Sequence, residues 1–322
     1  MTVADIPVLA EVVRSGFTES RHRGSAVVLA ADGREVLFSA GEVTAPMFPR
    51  SSNKPIQAAA MRSLGLDRDG ELLALAAASH SGEEFHVTGV RKILASAGLT
   101  EDALQCPPAL PLDEAAMRRL LRDGGGPDRV HMNCSGKHAA MLATCVTAGW
   151  PTESYRDPGH PLQREIRATL ERLSGEEVAA TGVDGCGAPL FAVSLTGLAR
   201  AFRSLVLAAP NSPERSVADA VRAHPEWTSG SARSERALML AVPGLLVKSG
   251  AEGVQAFALA DGRAAAVKVE DGAGRAVPAI TVALLVRLGV AEADQEALDR
   301  VADLPVYGGG EVVGRIRATL PG

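Results

Sequence analysis

The segment Ser51-Ser52-Asn53-Lys54 places a hydroxyl and an amine three residues apart, where a helix is predicted to begin. Three residues make about one helical turn, so the side chains of Ser51 and Lys54 would lie on one face. A serine becomes a strong nucleophile when a base takes its proton, and a partly buried lysine can be that base once its pKa falls. The spacing suits this chemistry, although a capped helix with an exposed lysine would show the same pattern.

A second candidate, Lys248-Ser249-Gly250, follows directly on the apolar, strand-like run 245–247. A strand that ends in this way presents a positive charge and a hydroxyl, and its glycine lets a substrate approach closely. The alternative is an ordinary strand end followed by a turn. The chain has only five lysines. Because a lysine, unlike an arginine, can lose its proton on burial and act as a base, these few lysines are favoured candidates for chemistry.

A third candidate, Ser79-His80-Ser81, follows the apolar run 72–78 and sets two hydroxyls beside an imidazole. Such a group can relay protons, or it can cap the helix predicted after it. Taken in order, Ser-x-x-Lys, Ser-x-Ser and Lys-Ser-Gly are similar to the motif set of serine β-lactamases and penicillin-binding proteins. The middle element is Ser-His-Ser rather than Ser-Asp-Asn, which argues against a penicillin as the substrate.

Two compact segments further along the chain each hold a cysteine among other potential metal ligands, namely Cys134 and Cys186. Zinc commonly takes four nitrogen, sulfur or oxygen ligands, so two thiolates would be half of a site. Chemistry alone makes His138 or Asp184 the expected third ligand. The alternative is a pair of buried, inert cysteines, which are common in proteins.

The composition bounds the class of protein. With 322 residues, 46% hydrophobic and 22% charged, the chain is typical of a soluble globular protein with a substantial core. A net charge of −5 argues against a nucleic-acid binder, which needs a basic excess. The apolar runs are too short to span a bilayer, and residues 1–5 lack the pattern of a secretory signal. We therefore expect a cytoplasmic protein without nucleic-acid or membrane partners.

The elements that must position these residues are predicted as strands at both chain ends with helices between them. Hairpins with Asp-Gly turns are predicted over 25–40 and 254–269, and a last strand over 311–318. Apolar spacing predicts helices over 52–64, 84–97, 113–123, 136–148, 160–174, 212–224, 276–288 and 292–303. This order predicts a single α+β domain over 1–322. An antiparallel sheet from both chain ends would pack with helices, and a helix-rich region of about 52–240 would be inserted between the terminal strands.

Taken together, the motifs resemble those of the Rhizobium etli-type L-asparaginases, also called class 3 or the L-asparaginase II family. The resemblance runs from about Val12 to Gly314, and its most specific part is the Asn-Cys-Ser-Gly-Lys-His segment. The segments that carry it are Arg50-Ser51-Ser52-Asn53-Lys54-Pro55, Ala78-Ser79-His80-Ser81, Asn133-Cys134-Ser135-Gly136-Lys137-His138, Thr181-Gly182-Val183-Asp184-Gly185-Cys186 and Lys268-Val269-Glu270-Asp271-Gly272.

This resemblance implies a fold like that of the serine β-lactamases and glutaminases, a homodimer, and hydrolysis of L-asparagine to L-aspartate and ammonia. It also implies two Ser–Lys pairs in one pocket, Ser51 with Lys54 and Ser79 with Lys248. On this hypothesis Ser51 attacks the side-chain amide while Lys54 takes its proton, and the second pair passes a proton to the leaving ammonia. Because two ammonium groups in one pocket lower each other's pKa, one lysine would approach the neutral form that a base needs.

The resemblance further implies one zinc ion per chain, held by Cys134, Lys137 and Cys186, with water completing the site. A lysine binds zinc as the neutral amine, a form that the metal itself favours. In this family the metal assists substrate binding rather than activating the attacking water. The family position that matches Ser234 can be cysteine, so we expect a mildly altered pocket here.

The implied substrate carries an ammonium and a carboxylate on its α-carbon. We expect Asp184 to receive the ammonium and Arg50, or backbone amides, to hold the carboxylate, with His80 and Asn133 as further substrate contacts. Other interpretations are a serine-dependent glutaminase or penicillin-recognising hydrolase on the same scaffold, and a non-catalytic amino-acid-binding module. A binding module has no need of paired bases, so the Ser–Lys set favours an enzyme.

Overall fold

The computed structural model describes residues 6–290 and 293–322. Its strands are β1 (Val8–Arg14), β2 (Phe17–Leu29), β3 (Val36–Ala40), β4 (Pro46–Met47), β5 (Ala180–Val183), β6 (Pro189–Ser194), β7 (Leu246–Gly250), β8 (Val254–Ala258), β9 (Ala264–Val269), β10 (Leu304–Gly308) and β11 (Glu311–Ala318). Its α-helices are α1 (Lys54–Ser63), α2 (Gly70–Ala76), α3 (Glu84–Ser96), α4 (Glu114–Arg122), α5 (Ser135–Ala148), α6 (Pro161–Ser174), α7 (Leu195–Leu207), α8 (Pro213–Ala223), α9 (Pro225–Thr228), α10 (Ser234–Ala241), α11 (Val277–Arg287) and α12 (Gln295–Ala302).

The main sheet is antiparallel and takes its strands from both ends of the chain. Its order is β10-β11-β1-β2-β9-β8-β7, and β3 also pairs with β2. The two chain ends meet where β1 pairs with β11 and β2 pairs with β9. The predicted α+β class and the predicted sheet built from both termini are therefore confirmed.

Both predicted hairpins are present, as β2–β3 and β8–β9. In each turn an aspartate accepts a hydrogen bond from a backbone N–H two residues later, Asp32 from Arg34 and Asp261 from Arg263. The glycine that follows the aspartate adopts a positive φ in both turns, 71° at position 33 and 92° at position 262. Asp-Gly pairs supply this turn chemistry at little steric cost, which is why these hairpins can be predicted from local sequence. The predicted last strand is also confirmed, as β11.

Most of the predicted helices are present with small differences at their ends. The predicted helix over 292–303 starts outside the described residues, and its described part contains α12. The sequence pattern does not predict α2, α7, α9 or α10. Nine of the thirteen residues of α7 are buried, so its apolar stripe is too broad for clear helical periodicity. No helix in the described ranges is both long and apolar enough to cross a bilayer.

The sheet is covered by helices, and four elements meet beside it. Helix α7 packs against β2, β8 and β9, and α11 packs against β8, β9 and β11. Every residue of β8 is buried, which is typical of a strand covered on both faces. Helices α1, α2 and α5 contact one another, and β7 packs against the 3₁₀ turn that precedes α1. The segments 51–54, 79–81, 133–138 and 248–250 lie at this junction.

Candidate active site

The predicted nucleophile Ser51 lies in a short 3₁₀ turn, Arg50–Asn53, that leads directly into α1. The turn is tight, because Ser52 Oγ donates a hydrogen bond to the carbonyl oxygen of Pro49 at 2.6 Å. Arg50 has a φ of 52°, a conformation that non-glycine residues seldom take and that costs about 1–3 kcal/mol. Ser51 itself is half-buried. The backbone of Ser51 is therefore held in place, while its side chain remains partly accessible to solvent.

The side chain of Lys54 is 1% exposed and links three parts of the site. Its Nζ donates hydrogen bonds to the carbonyl oxygen of Ala78 at 2.5 Å, to Ser79 Oγ at 3.0 Å and to Cys134 Sγ at 3.0 Å. These contacts use all three donors of an ammonium group, so the geometry suits a charged Lys54. The hydroxyl that Lys54 contacts in the structure is that of Ser79, where we expected Ser51.

Lys248 lies on β7, and its side chain is also 1% exposed. Burial lowers the pKa of Lys248 from 10.5 to about 7; the carboxylate of Glu235 opposes this shift, and the charge of Lys54 adds to it. Its Nζ donates a hydrogen bond to the carbonyl oxygen of Ser249 at 2.8 Å. Lys248 is therefore the amine that can lose its proton near neutral pH.

The glycine of the Lys-Ser-Gly segment lets the end of β7 press against the turn that holds Ser51. A Cβ atom on Gly250 would lie 2.6 Å from Pro49 O and 3.0 Å from Ser52 N. The glycine thus makes room for the backbone of this turn, where we expected room for substrate. Because residues two apart on a strand point to the same face, Lys248 leaves β7 on the side of the Ser51 turn.

His80 is fully buried and both of its ring nitrogens are used inside the protein. Its Nδ1 accepts a hydrogen bond from the N–H of Gly82 at 3.1 Å, and its Nε2 lies 2.8 Å from Ser135 Oγ. Ser135 Oγ donates to the carbonyl oxygen of Val130, so His80 Nε2 must carry the proton and donate. Burial holds the pKa of His80 well below its ordinary value, which keeps the ring neutral. The geometry does not support the expected substrate contact, because no ring nitrogen is left for a ligand; His80 instead anchors its loop to the start of α5.

The two cysteines singled out from sequence lie together, next to a buried lysine. Lys137 Nζ donates a hydrogen bond to Cys186 Sγ at 3.1 Å, and Cys134 lies beside the same sulfur. Its contact with Cys134 and the charge of Lys137 lower the pKa of Cys186, whereas the pKa of Cys134 is raised. Of the two sulfurs, Cys186 therefore loses its proton more readily. His138 adjoins Cys186, and its Nε2 is buried with no hydrogen-bond partner among the described residues.

The donors beside Cys134 and Cys186 are sulfur and nitrogen atoms. Within residues 6–290 and 293–322, no group of three or more His, Cys, Asp and Glu side chains is arranged to hold a metal ion. What converges is two sulfurs, the amine of Lys137 and the unpartnered Nε2 of His138, a sulfur and nitrogen set of the kind zinc prefers. Although burial disfavours the charge on Lys137, the Cys186 and Cys134 sulfurs raise its pKa. The residues fit zinc if Lys137 gives up that proton on binding.

Arg50 and Asp184, the expected contacts of the substrate carboxylate and ammonium, contact each other. Arg50 Nε lies 2.8 Å from Asp184 Oδ1, and the two side chains are 23% and 11% exposed. The N–H of Gly185 donates to the same oxygen at 2.8 Å, and Arg50 Nη1 lies 3.8 Å from Glu252 Oε1. The pair presents a positive and a negative group side by side, which matches the two charges on the α-carbon of an amino acid.

Two further polar residues, Asn133 and Glu235, lie near the cysteine pair and near Lys248, respectively. Asn133 is half-buried, and its Oδ1 accepts a hydrogen bond from Cys134 Sγ at 3.0 Å. Its amide group therefore lies at the edge of the cysteine pair. Glu235 is 2% exposed and acts on Lys248 through its charge. Glu235 cannot be found from sequence patterns, since it lies on an unpredicted helix and its spacing from Lys248 follows no local rule.

A search of solved structures finds similar chains at low identity. A beta-lactamase from Mycobacterium bovis is 16% identical over 82% of this chain and 94% of the other, with a TM-score of 0.40. A putative beta-lactamase from Bacteroides dorei is 15% identical over 82% of this chain and 92% of the other, with a TM-score of 0.46. Mglu in its native form is 14% identical over 91% of this chain and 69% of the other, with a TM-score of 0.45.

A search of the curated proteins finds no match to this chain. A family model described as L-asparaginase II matches residues 10–318. That range includes every candidate catalytic, substrate-binding and metal-binding residue described above.

Proposed function

The chain belongs to the L-asparaginase II family, and from this premise we propose that it is a Rhizobium etli-type, class 3 enzyme that hydrolyses L-asparagine to L-aspartate and ammonia as a homodimer. Membership of the family makes it a hydrolase acting on amides. The observation that carries the proposal is the contact of 3.0 Å between Lys54 Nζ and Ser79 Oγ, beside a second buried lysine whose pKa is about 7. Acyl transfer through a serine requires a base that can gain and lose a proton, which Lys248 supplies, and a positive charge near the developing oxyanion, which Lys54 supplies.

The first step is attack by Ser51 on the carbon of the side-chain amide. We expected Lys54 to take the serine proton, but all three of its donors are engaged. Lys248 is the better base, because it can be neutral near pH 7 and lies on the side of β7 that faces the Ser51 turn. The Oγ–C bond forms as the proton passes from Ser51 to Lys248.

The second step expels ammonia. The C–N bond breaks, and the proton now on Lys248 passes to the leaving nitrogen, with Ser79 as a relay whose hydroxyl is oriented by Lys54. The product of this step is an ester of Ser51. Water then attacks the ester, and Lys248 takes a proton from that water and returns one to Ser51. The charged Lys54 stabilises the negative charge that develops on oxygen in both halves of the reaction.

Recognition of the substrate rests on Arg50 and Asp184. Their ion pair has opposite charges within 2.8 Å, so an amino acid can place its carboxylate against Arg50 and its ammonium against Asp184. A site that pairs both groups rejects analogues that lack one, because the unmatched protein charge is then left unpaired. Asn133 is a further candidate contact, since it is half-buried and its side chain accepts a hydrogen bond from Cys134, which in turn contacts Lys54.

We propose that Cys134, Lys137 and Cys186 hold one zinc ion. The support is the convergence of two sulfurs and one amine, with Lys137 Nζ 3.1 Å from Cys186 Sγ. When bound, zinc would supply a positive charge that favours substrate binding. The protein's own part is to keep the sulfurs adjacent and to bring Cys134 within 3.0 Å of Lys54.

The test is ammonia release from L-asparagine and L-glutamine by the purified protein, with and without a chelator. We expect ammonia from asparagine at a higher kcat/KM than from glutamine. Faster release from glutamine, or turnover of a chromogenic cephalosporin, would assign the alternative hydrolase functions. Thermal stabilisation by asparagine without ammonia would instead identify a binding module. Analytical ultracentrifugation measures the molecular mass in solution. A monomer at the assay concentration would contradict the proposed homodimer.

A further inference from the structure

One buried acidic side chain is not used by this mechanism. Glu235 lies in the first turn of α10 and is 2% exposed; no other Asp or Glu in residues 6–290 and 293–322 is buried. Taking a carboxylate out of water is unfavourable unless a cation or hydrogen-bond donors compensate it. The groups that face Glu235 therefore indicate what it does.

The contacts of Glu235 lead toward Lys248. Its two oxygens lie 3.4 Å from Arg233 Nη2 and 3.3 Å from Ser234 Oγ. Its side chain also lies beside Ser249, with which it lines one small cavity. The carbonyl oxygen of Ser249 accepts the hydrogen bond from Lys248 Nζ at 2.8 Å. A single residue thus joins the buried carboxylate and the buried amine.

Ser249 is itself fixed by a chain of polar contacts. Its Oγ lies 2.6 Å from Gln255 Oε1, and Gln255 Nε2 donates to Thr281 Oγ1 at 2.8 Å. Glu235, Ser249 and Gln255 line a small cavity of about 140 Å³, so polar side chains surround the carboxylate there. A neutral amide at position 235 can therefore be accommodated there without burying a polar group in an apolar core.

The charges around Lys248 are unequal in their effect. Lys54 and Arg233 lower the pKa of Lys248, and Glu235 and Cys134 raise it. Glu235 has the largest effect of these four charges. Arg233 is 40% exposed on its side chain, so it is screened by solvent, whereas Glu235 and Lys248 are both buried on elements that pack together, α10 and β7.

We propose that Glu235 is a positioning residue that keeps Lys248 able to hold a proton at neutral pH. This inference rests on the proposed function, in which Lys248 first receives the serine proton and then delivers it to ammonia. Without the carboxylate, an amine buried beside two cations would stay neutral and would be a weaker proton acceptor. Glu235 touches neither the substrate nor the reacting atoms and acts through Lys248.

The test titrates Lys248 directly. The chain has five lysines, so lysine labelled with ¹³C at the ε carbon gives a spectrum that Lys248→Arg suffices to assign. In Glu235→Gln we expect the pKa of Lys248 to fall by about one to three units. The acid limb of kcat/KM against pH should move down by the same amount. Glu235→Asp keeps the charge at a greater distance, so its shift should be intermediate.

The matched control is Glu296→Gln. Glu296 is an 87% exposed carboxylate on α12, the helix that packs against α10, so its loss should leave both readouts unchanged. A folded Glu235→Gln protein in which Lys248 titrates as in the wild type would overturn the inference. If that variant fails to fold, an unshifted Lys248 in Glu235→Asp overturns it equally. Absence of ammonia release by the wild type would instead remove the proposed function and leave the titration result standing.

Discussion

The Nζ atom of Lys54 lies 3.0 Å from the Sγ atom of Cys134, so one contact joins the serine–lysine cluster to the cysteine pair. The same Nζ lies 3.0 Å from Ser79 Oγ. Cys134 also lies beside Cys186. A change at either sulfur therefore reaches the amine that orients Ser79, which explains how a structural perturbation at the cysteines can alter catalysis.

The first prediction concerns the nucleophile. Ser51→Ala removes the attacking oxygen while leaving the turn, since its hydrogen bond is made by Ser52. We expect kcat to fall by at least about a thousandfold with the fold and the asparagine affinity retained. Ammonia release and calorimetric binding measure the two effects. Ser63→Ala, which removes a hydroxyl at the other end of α1, is the matched control and should keep full activity. Retention of most activity by Ser51→Ala, with a large loss in Ser79→Ala, would transfer the nucleophile to Ser79.

The second prediction concerns pH. Because Lys248 must be neutral to accept a proton and its pKa is lowered to about 7, kcat/KM should rise as pH increases through about 7 and then level off. Lys248→Arg keeps the charge but cannot release a proton, so its activity should be very low at every pH. A wild-type profile that stays flat across pH 7 would count against Lys248 as the base.

The third prediction concerns the stability cost of this site. The pKa of Lys248 is lowered on folding from 10.5 to about 7, so the unfolded chain holds that proton more tightly between these values. Its contribution to stability therefore grows as pH rises from about 7 to 10.5 and is least favourable below about 7. Replacing the pair by Lys248→Met with Glu235→Gln should raise the free energy of unfolding by about 1–4 kcal/mol at neutral pH. Chemical denaturation measures the change, and a less stable double variant would contradict it.

The fourth prediction concerns metal. Cys186→Ser should reduce zinc affinity by about tenfold or more, because serine is a poor zinc ligand beside thiolate. With zinc removed by chelation, we expect the KM for asparagine to rise while kcat changes little. Mass spectrometric zinc content and calorimetry are the measurements. Cys145→Ser is the matched control, since Cys145 is a buried cysteine of α5 away from the pair. Equal zinc content in both variants would remove the site.

The fifth prediction concerns the contact between β7 and the nucleophile turn. A Cβ at position 250 would lie 2.6 Å from Pro49 O, so Gly250→Ala must displace the turn that carries Ser51. Misplacement of a reacting group by about 1 Å can cost about a hundredfold in rate, and we expect a loss of kcat of that order. Gly126→Ala, whose Cβ would meet nothing within 4 Å, should be as active as the wild type. Full activity in Gly250→Ala would show that the turn can shift without consequence.

The features that the sequence predicts well are local ones. The β2–β3 and β8–β9 hairpins are encoded in their Asp-Gly turns, and Ser51 and Lys54 fall at the start of α1 because helix periodicity acts over a few residues. The choice of chemistry is also local in origin, since the types of side chain and their spacing within each motif suggest serine–lysine acyl transfer. The class of fold followed from the order of strands and helices along the chain.

Tertiary structure decided which of these groups meet and in what protonation state. Lys54 contacts Ser79, 25 residues away in the chain, because the start of α1 lies near the end of α2. Residue spacing cannot predict that Lys54 contacts this serine. His80 anchors its loop, because both of its ring nitrogens form hydrogen bonds inside the protein. Lys248 acquires its pKa from burial and from Glu235, which lies on a helix that the sequence pattern did not reveal. The physical reason is that desolvation and Coulomb forces act through space between chain segments, whereas sequence patterns report forces between neighbours along the chain.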